Sequence, residues 1–341
     1  MIETADVLVV GLGPAGASAA AEAARRGRKV IAIDRKREAG RPVQCAEFVP
    51  AMIGMPEVAS TARQRIESMA TFVEGDAPDF KGDFPGHMLD RAAFDAALVA
   101  RAAEAGADVR FSCAVRRVHK SGTVELADGR RFCGATLIGA DGPRSSVGRA
   151  IGSVNEKLVE TRQITVRLRA PHASTDIFLG SGIPGGYGWL FPKGEVANLG
   201  AGVEPAHKSR LPRIVTELHA RLAREGRVGE AILGLTGGLI PVGGMLRALG
   251  TLGDTCVLLA GDAAGLANPV TGAGISAAVQ SGGLAGEAAA TEAHAEYQGD
   301  LEDLFGASLD RALRRRRELL ASVPSKAALR RGWIAYPEYW Q

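Results

Sequence analysis

Glycines and aspartates at regular distances from apolar runs carry the most chemical information in this sequence. "GLGPAG" sets Gly11, Gly13 and Gly16 in a GxGxxG spacing directly after the apolar run 6–10. Gly11 permits a tight turn, Gly13 lets the backbone approach a pyrophosphate, and Gly16 lets the next helix pack on the strand. The N–H groups that open such a helix, at the positive end of its dipole, suit phosphate. Asp34 stands 18 residues after Gly16, where a carboxylate accepts hydrogen bonds from a ribose diol. Far along the chain, "VLLAGDAAGLANPVTGAGISAAV" (257–279) supplies an apolar run, Asp262, Pro269 and a second turn opening a helix. Asp262 can bind a ribityl hydroxyl. The N–H groups of Gly272, Ala273 and Gly274 can face the N1–C2=O edge of a flavin, which becomes anionic on reduction. A single NAD site needs no such second element. Between the two, "LIGADGPRSSVG" (137–148) again reads as strand, Asp141-Gly, helix start. The chemistry implied is the binding of FAD.

A second set of residues can act on a substrate. Aromatics are only 5% of the chain, yet "YGWLFP" (187–192) holds Tyr187, Trp189 and Phe191 at alternate positions. In a strand these rings share one face and form a wall, against either the ordinary core or a ligand. The cysteines, Cys45, Cys113, Cys133 and Cys256, show no CxxC or Cys/His ligand spacing, so no metal site, iron–sulfur cluster or disulfide is expected. A reducing cytoplasm fits that usage.

The elements that must position these groups follow from periodicity. Residues 6–34 read as a strand, an Ala-rich helix ending near Gly27, and a second strand: a βαβ unit. Residues 40–90 read as irregular, 90–107 as a helix, 109–118 and 123–127 as strands, and 136–142 as another buried strand. From 155 to 245 the pattern changes to alternating strands at 164–169, 176–180, 187–191 and 196–203, with a helix near 208–225. Then βα returns, as a strand at 256–261 and a helix from 272 to 291. The expected fold is α/β. A discontinuous Rossmann-like FAD-binding domain (1–155 and 245–295) carries an inserted antiparallel-sheet substrate domain (156–244, with part of 40–90). A C-terminal helical tail (296–341) follows.

The three motifs, in this order and spacing, resemble the FAD-dependent oxidoreductases of the para-hydroxybenzoate hydroxylase fold. The resemblance spans about residues 5–290. Within that fold the sequence is most similar to the geranylgeranyl reductase family. Tyr187, Trp189, Phe191 and Pro192 match its Y-x-W-x-F-P strand, Cys45-Ala46-Glu47 its Cys-then-Glu after the second strand, and Gly265 a GD motif without the usual His. Ala273 stands where members often have Glu. The resemblance implies that Arg91 contacts FAD and that the backbone at Val115 meets the adenine. It also implies cofactor contacts at Ala15, Arg35, Pro269 and Ile275 beside the glycines and aspartates already named. Cys45 would lie near the isoalloxazine, and Cys45, Tyr187 and Trp189 would form the catalytic cavity under the inserted sheet.

The activity implied is FAD-dependent reduction of carbon–carbon double bonds in a polyprenyl or similarly apolar substrate. The alternatives are an FAD monooxygenase hydroxylating a small aromatic and an electron-transfer flavoprotein dehydrogenase. No second nucleotide motif is visible, which leaves the reductant open between NAD(P)H and ferredoxin, and the oligomeric state is open too. No run of 18 apolar residues implies a transmembrane helix, and the strand beginning at Asp6 leaves no room for a signal peptide. Cytoplasmic localisation is expected, and no nucleic acid partner. Of the net charge of +3, residues 311–331 supply +7 from eight Arg/Lys and one Glu, which suggests a basic helix touching anionic membrane. The aromatic end "GWIAYPEYWQ" (332–341) is expected to pack back, capping the cavity or joining a subunit interface.

Overall fold

The computed structural model describes residues 1–50, 56–320 and 324–341. Val7–Val10 and Val30–Ile33 are apolar without alternation because both faces of their sheet are covered. That sheet runs in the order Leu249–Leu252, Thr255–Leu259, Arg131–Gly139, Ile2–Val10, Val30–Ile33, Asp108–Arg110. Along this row the pairings are parallel except at the Leu249–Leu252 edge. The short strands Val115–Val118 and Val124–Leu126 extend it beside Arg131–Gly139. The helices Pro14–Arg25 and Ile275–Thr291 lie together, and small residues let them approach. A Cβ on Gly282 would stand 2.1 Å from the Ala15 carbonyl oxygen, and one on Gly286 would stand 2.4 Å from that of Ala19.

A second sheet of seven strands runs Val228–Pro241, Leu158–Leu168, Val196–Val203, Gly188–Lys193, Ser174–Leu179, Ser68–Val73, Asp79–Lys81. Alternation decides its two faces. Leu190 and Leu199 turn to the helix Leu211–Arg224, which lays Leu211, Ile214, Val215, Leu218 and Leu222 over that side. Trp189 and Phe191 turn the other way. Gly200, opposite Trp189 on the next strand, makes room for the indole: a Cβ there would lie 2.4 Å from the ring. The tail adds the helices Ala307–Leu319 and Lys326–Arg331 and a short turn Pro337–Trp340. Its Leu319, Leu329, Trp333 and Tyr339 join Trp189, Phe191 and Ile177 in one cluster.

The expected elements are present with some differences. The second sheet is mixed rather than antiparallel, because Ser174–Leu179 pairs in parallel with Ser68–Val73. Residues 40–90, read as irregular, supply five strands: two to this sheet and three to a small sheet of Phe48–Pro50, Gly86–Leu89 and Ala62–Ile66. They are short, and their Gly and Pro content hid them. The 109–118 strand is two, separated by Ser112 at φ 57. Val228–Pro241, the longest strand, was not foreseen because its glycines break the alternation. The basic stretch 311–331 falls on two helices, with residues 321–323 outside the described ones.

Candidate functional site

Between the two sheets lies a cavity of about 340 Å³. The parallel-sheet side brings the fingerprint turn to it. Gly11 has φ +100, and a Cβ there would sit 2.2 Å from the Ala140 carbonyl oxygen. A Cβ on Gly16 would meet Gly11's carbonyl oxygen at 1.7 Å, so only glycine lets helix and strand close. Gly13 differs: a side chain there would touch nothing within 4 Å, because its Cα faces open cavity. The helix Pro14–Arg25 begins at this point with no side-chain cap, which leaves its first N–H groups aimed outward. The helix Ile275–Thr291 also begins uncapped at Gly274, on the same cavity.

Asp262 lies between these helix ends. Its carboxylate accepts no hydrogen bond from the described residues, and Asn155 donates only to its backbone oxygen (2.8 Å). Burial pushes its pKa up to about 6, against the pull of Arg91. Arg91 is itself half-buried, and desolvation works against its charge. Cys45 and Asp95 beside it outweigh that and hold its pKa above the ordinary value, with Asp95 2.9 Å away.

The opposite wall is aromatic. Trp333, Tyr187, Trp189, Phe191, Phe48 and Phe84 follow one another with ring centroids 4.8, 5.7, 6.3, 5.9 and 5.6 Å apart, and all six face the cavity. The core and ligand readings of YGWLFP therefore both hold: the rings are part of a packed cluster and also line the cavity. Tyr187 donates its hydroxyl to the Thr271 carbonyl (2.5 Å), and burial raises its pKa, so it stays protonated. Trp189 Nε1 donates to Gln163 Oε1 (3.0 Å), whose amide donates in turn to the Cys45 carbonyl (3.2 Å).

The structure brings Gly13, Ala15, Cys45, Arg91, Tyr187, Trp189, Asp262, Gly272, Ala273, Gly274 and Ile275 to this cavity. The other sequence candidates lie outside its lining. Gly11 and Gly16 shape the turn. Asp34 Oδ2 accepts from Leu12 N and Oδ1 from Lys36 N, both at 2.7 Å, which fixes the carboxylate at the strand end beside Arg35. Asp141 accepts from the Ser145 hydroxyl and from Ser146 N (2.6 Å), at the start of the helix Ser146–Ala150. Val115 lies on the outer ladder. The Pro269 carbonyl accepts from Arg316 (3.1 Å).

Sequence reading missed three positioning residues. Gln163 has just been described. Glu47, at φ 69, accepts from Arg91 N (3.1 Å), Lys193 Nζ (2.6 Å) and Asn198 Nδ2 (2.8 Å), which ties the Cys45 loop to the second sheet and to the start of the helix Arg91–Glu104. Arg316 is buried and donates to the carbonyls of Pro269 and Gly185, which joins the tail to the cavity turn. The Cys-Ala-Glu match pointed at Glu47. Nothing in the local sequence marks the other two.

These groups fit FAD. Two uncapped helix N-termini, an open glycine and a half-buried carboxylate with no donor among the described residues face one space. The residues that would hold it are Gly13, Ala15, Asp262 and the turn 272–275, with Arg91 alongside.

A family model described as FAD dependent oxidoreductase matches residues 6–141, and one described as geranylgeranyl reductase catalytic domain matches 159–240. A digeranylgeranylglycerophospholipid reductase of Methanocella arvoryzae is 33% identical, over 90% of this chain and 85% of its own. Digeranylgeranylglycerophospholipid reductase 1 of Methanopyrus kandleri is 36% identical, over 83% and 80%. The crystal structure of a geranylgeranyl bacteriochlorophyll reductase-like protein from Thermoplasma acidophilum superposes with a TM-score of 0.84 at 25% identity, covering 99% of this chain and 98% of that one. PqsL of P. aeruginosa, solved with 2-aminobenzoylacetate, shares the fold at a TM-score of 0.73 and 19% identity, over 96% and 99%.

Proposed function

The chain belongs to the geranylgeranyl reductase family of FAD-dependent oxidoreductases, and from that premise we propose that it saturates carbon–carbon double bonds in the isoprenoid chains of a geranylgeranyl lipid. The observation that carries this reading is the unbroken aromatic wall from Trp333 to Phe84, set across the cavity from Asp262 and the two helix ends.

An isoprenoid chain offers almost no polar handle, so its binding rests on buried area, about 0.8 kcal/mol per methylene. Flat rings supply that area with few rotamers to freeze. FAD held there in its reduced form would supply the hydride, and a proton would complete the addition of two hydrogens per double bond. Cys45, Tyr187 and Trp189 lie against the substrate. Gln163 fixes the Trp189 ring and the Cys45 backbone together, and the Tyr187 hydroxyl stays bound to the Thr271 carbonyl rather than entering the cavity. The same wall excludes water from the reacting carbons. Electrons arrive from an external donor, NAD(P)H or ferredoxin, on the cytoplasmic side of a membrane that holds the lipid.

The test is anaerobic. Dithionite-reduced holoprotein mixed with a detergent-dispersed geranylgeranyl lipid should regain the spectrum of oxidised flavin and yield product two mass units heavier per double bond. A reaction that needs oxygen and adds an oxygen atom would replace the reductase with a hydroxylase.

A further inference from the structure

The strand Val228–Pro241 forms one edge of the seven-stranded sheet and changes character along its length. Thr236, Gly237, Gly238, Leu239 and Ile240 line the cavity. There the free edge is covered by the Cys45 loop: Thr236 Oγ1 donates to the Val43 carbonyl (2.5 Å) and Gln44 Nε2 to that of Gly237 (3.1 Å). The preceding residues have no such cover. Ile232, Leu233 and Leu235 are 57%, 51% and 60% exposed, the densest group of exposed large apolar side chains among the described residues. No charged residue stands between Glu230 and Arg247.

From this continuity we propose that residues 231–235 dock into the surface of a lipid bilayer and deliver the isoprenoid chain directly to the cavity. The proposal rests on the reductase reading for its cargo. Its location rests on the strand itself.

A bilayer fits this edge better than a second copy of the chain. Across the register shift Leu235 pairs with Ile164 and Ile232 with Val166, so Ile232 and Leu235 share one face of the sheet, with Leu233 the extra residue beside them. Edge-to-edge pairing of two sheets would cover the backbone and leave those side chains in water, whereas an interface of headgroups and acyl chains takes in the edge and its exposed side chains together. The ladder to Leu158–Leu168 also shifts register beside this segment, between Thr165 and Val166 and again before Leu168. Such irregularity disfavours strand addition. The unpaired N–H and C=O groups keep the depth shallow, since hydrocarbon leaves them unsatisfied.

The basic stretch is a poorer candidate. Arg316 is buried, Arg315 and Arg331 pair with Glu318, and Lys326 and Arg330 with Asp76 and Asp79.

The experiment is sedimentation of holoprotein with uncharged phosphatidylcholine vesicles, beside the triple variant Ile232→Ser, Leu233→Ser, Leu235→Ser and the single variant Leu233→Glu. The wild type should pellet with the vesicles at low and high salt. Both variants should lose at least tenfold in bound fraction while keeping FAD content and melting temperature. Turnover of lipid presented in vesicles should fall, and turnover of the same lipid in detergent should not. Three results overturn the proposal: a wild type that stays in the supernatant, binding that requires anionic lipid and is released by salt, or a vesicle-free wild-type dimer that the variants convert to monomer. Absent turnover of detergent-dispersed lipid by the wild type would instead count against the reductase reading, and sedimentation would still decide the docking.

Discussion

Asp262 is a half-buried carboxylate with no hydrogen-bond donor among the described residues, and its protonation couples the apoprotein to its cofactor. Burial lifts its pKa from 3.8 to about 6. In the apoprotein this group favours folding fully below pH 4, and the contribution is lost as pH rises through 6. A cofactor hydroxyl donates best to the ionised form, so FAD binding releases the proton. FAD affinity should be level above pH 6 and fall toward tenfold per unit below it. Asp262→Ala should flatten that profile and weaken binding about 10- to 150-fold, the loss of roughly 1.5–3 kcal/mol for a hydrogen bond to a charged group. Fluorescence titration of apoprotein with FAD from pH 4.5 to 8 reads both effects, and an unchanged pH profile in the variant would remove Asp262 from the site. Asp262 was legible because its neighbours in sequence are also its neighbours in the site. Gln163 was not: its partners Trp189 and Cys45 lie 26 and 118 residues away, and a glutamine in a strand carries no local signal. The bonds that Asp141 accepts from Ser145 and Ser146 were not legible either, because a strand–Asp–Gly spacing does not say what the carboxylate meets.

At the scale of elements, the two helices that open on the cavity are held in place by what their glycines lack. Gly282 lies where a Cβ would stand 2.1 Å from a backbone oxygen of the fingerprint helix, while its neighbour Gly283 would meet nothing within 4 Å. Gly282→Val should therefore push the helices apart, cost about 1–3 kcal/mol or more in overpacking, and yield protein with little bound FAD. Gly283→Val should melt and bind flavin as the wild type does. Thermal melting and the flavin-to-protein absorbance ratio of the pair check this, and equal behaviour of both variants would deny the close contact. The βαβ units were readable because buried parallel strands and an Ala-rich helix each declare their period. The strand Val228–Pro241 was not, because its glycines at 229, 234, 237 and 238 interrupt the alternation that marks a half-buried strand.

At the scale of the whole molecule, the cavity is closed by a segment distant in sequence from everything else in it. Of the two placements expected for the aromatic end, the structure shows the cap: Trp333 is 1% exposed, packs at a tilt against Tyr187 with ring centroids 4.8 Å apart and donates from Nε1 to Met69 Sδ, with Ile334 beside it on the cavity. Composition made the packing of most of these rings predictable, with Trp340 left exposed, but no local pattern named the partner. Two anchors hold the cap. Arg316 reaches the carbonyls of Pro269 and Gly185, and Arg330 and Tyr336 both bind Asp79 on the outer strand of the second sheet. Trp333→Ala removes the ring that joins tail and wall, at a cost of about 3–5 kcal/mol for a large buried aromatic. Much of that cost should appear locally. Amide exchange across 326–341 should speed up, and KM for a long isoprenoid substrate should rise. FAD content should hold, because Gly13 and Asp262 line the cavity from the other sheet. Hydrogen exchange by mass spectrometry, with flavin content on the same sample, separates these. Slow tail exchange in the variant would mean that Arg316 and Asp79 hold the cap without Trp333, and loss of FAD would mean that the tail supports the whole cavity rather than its lipid end.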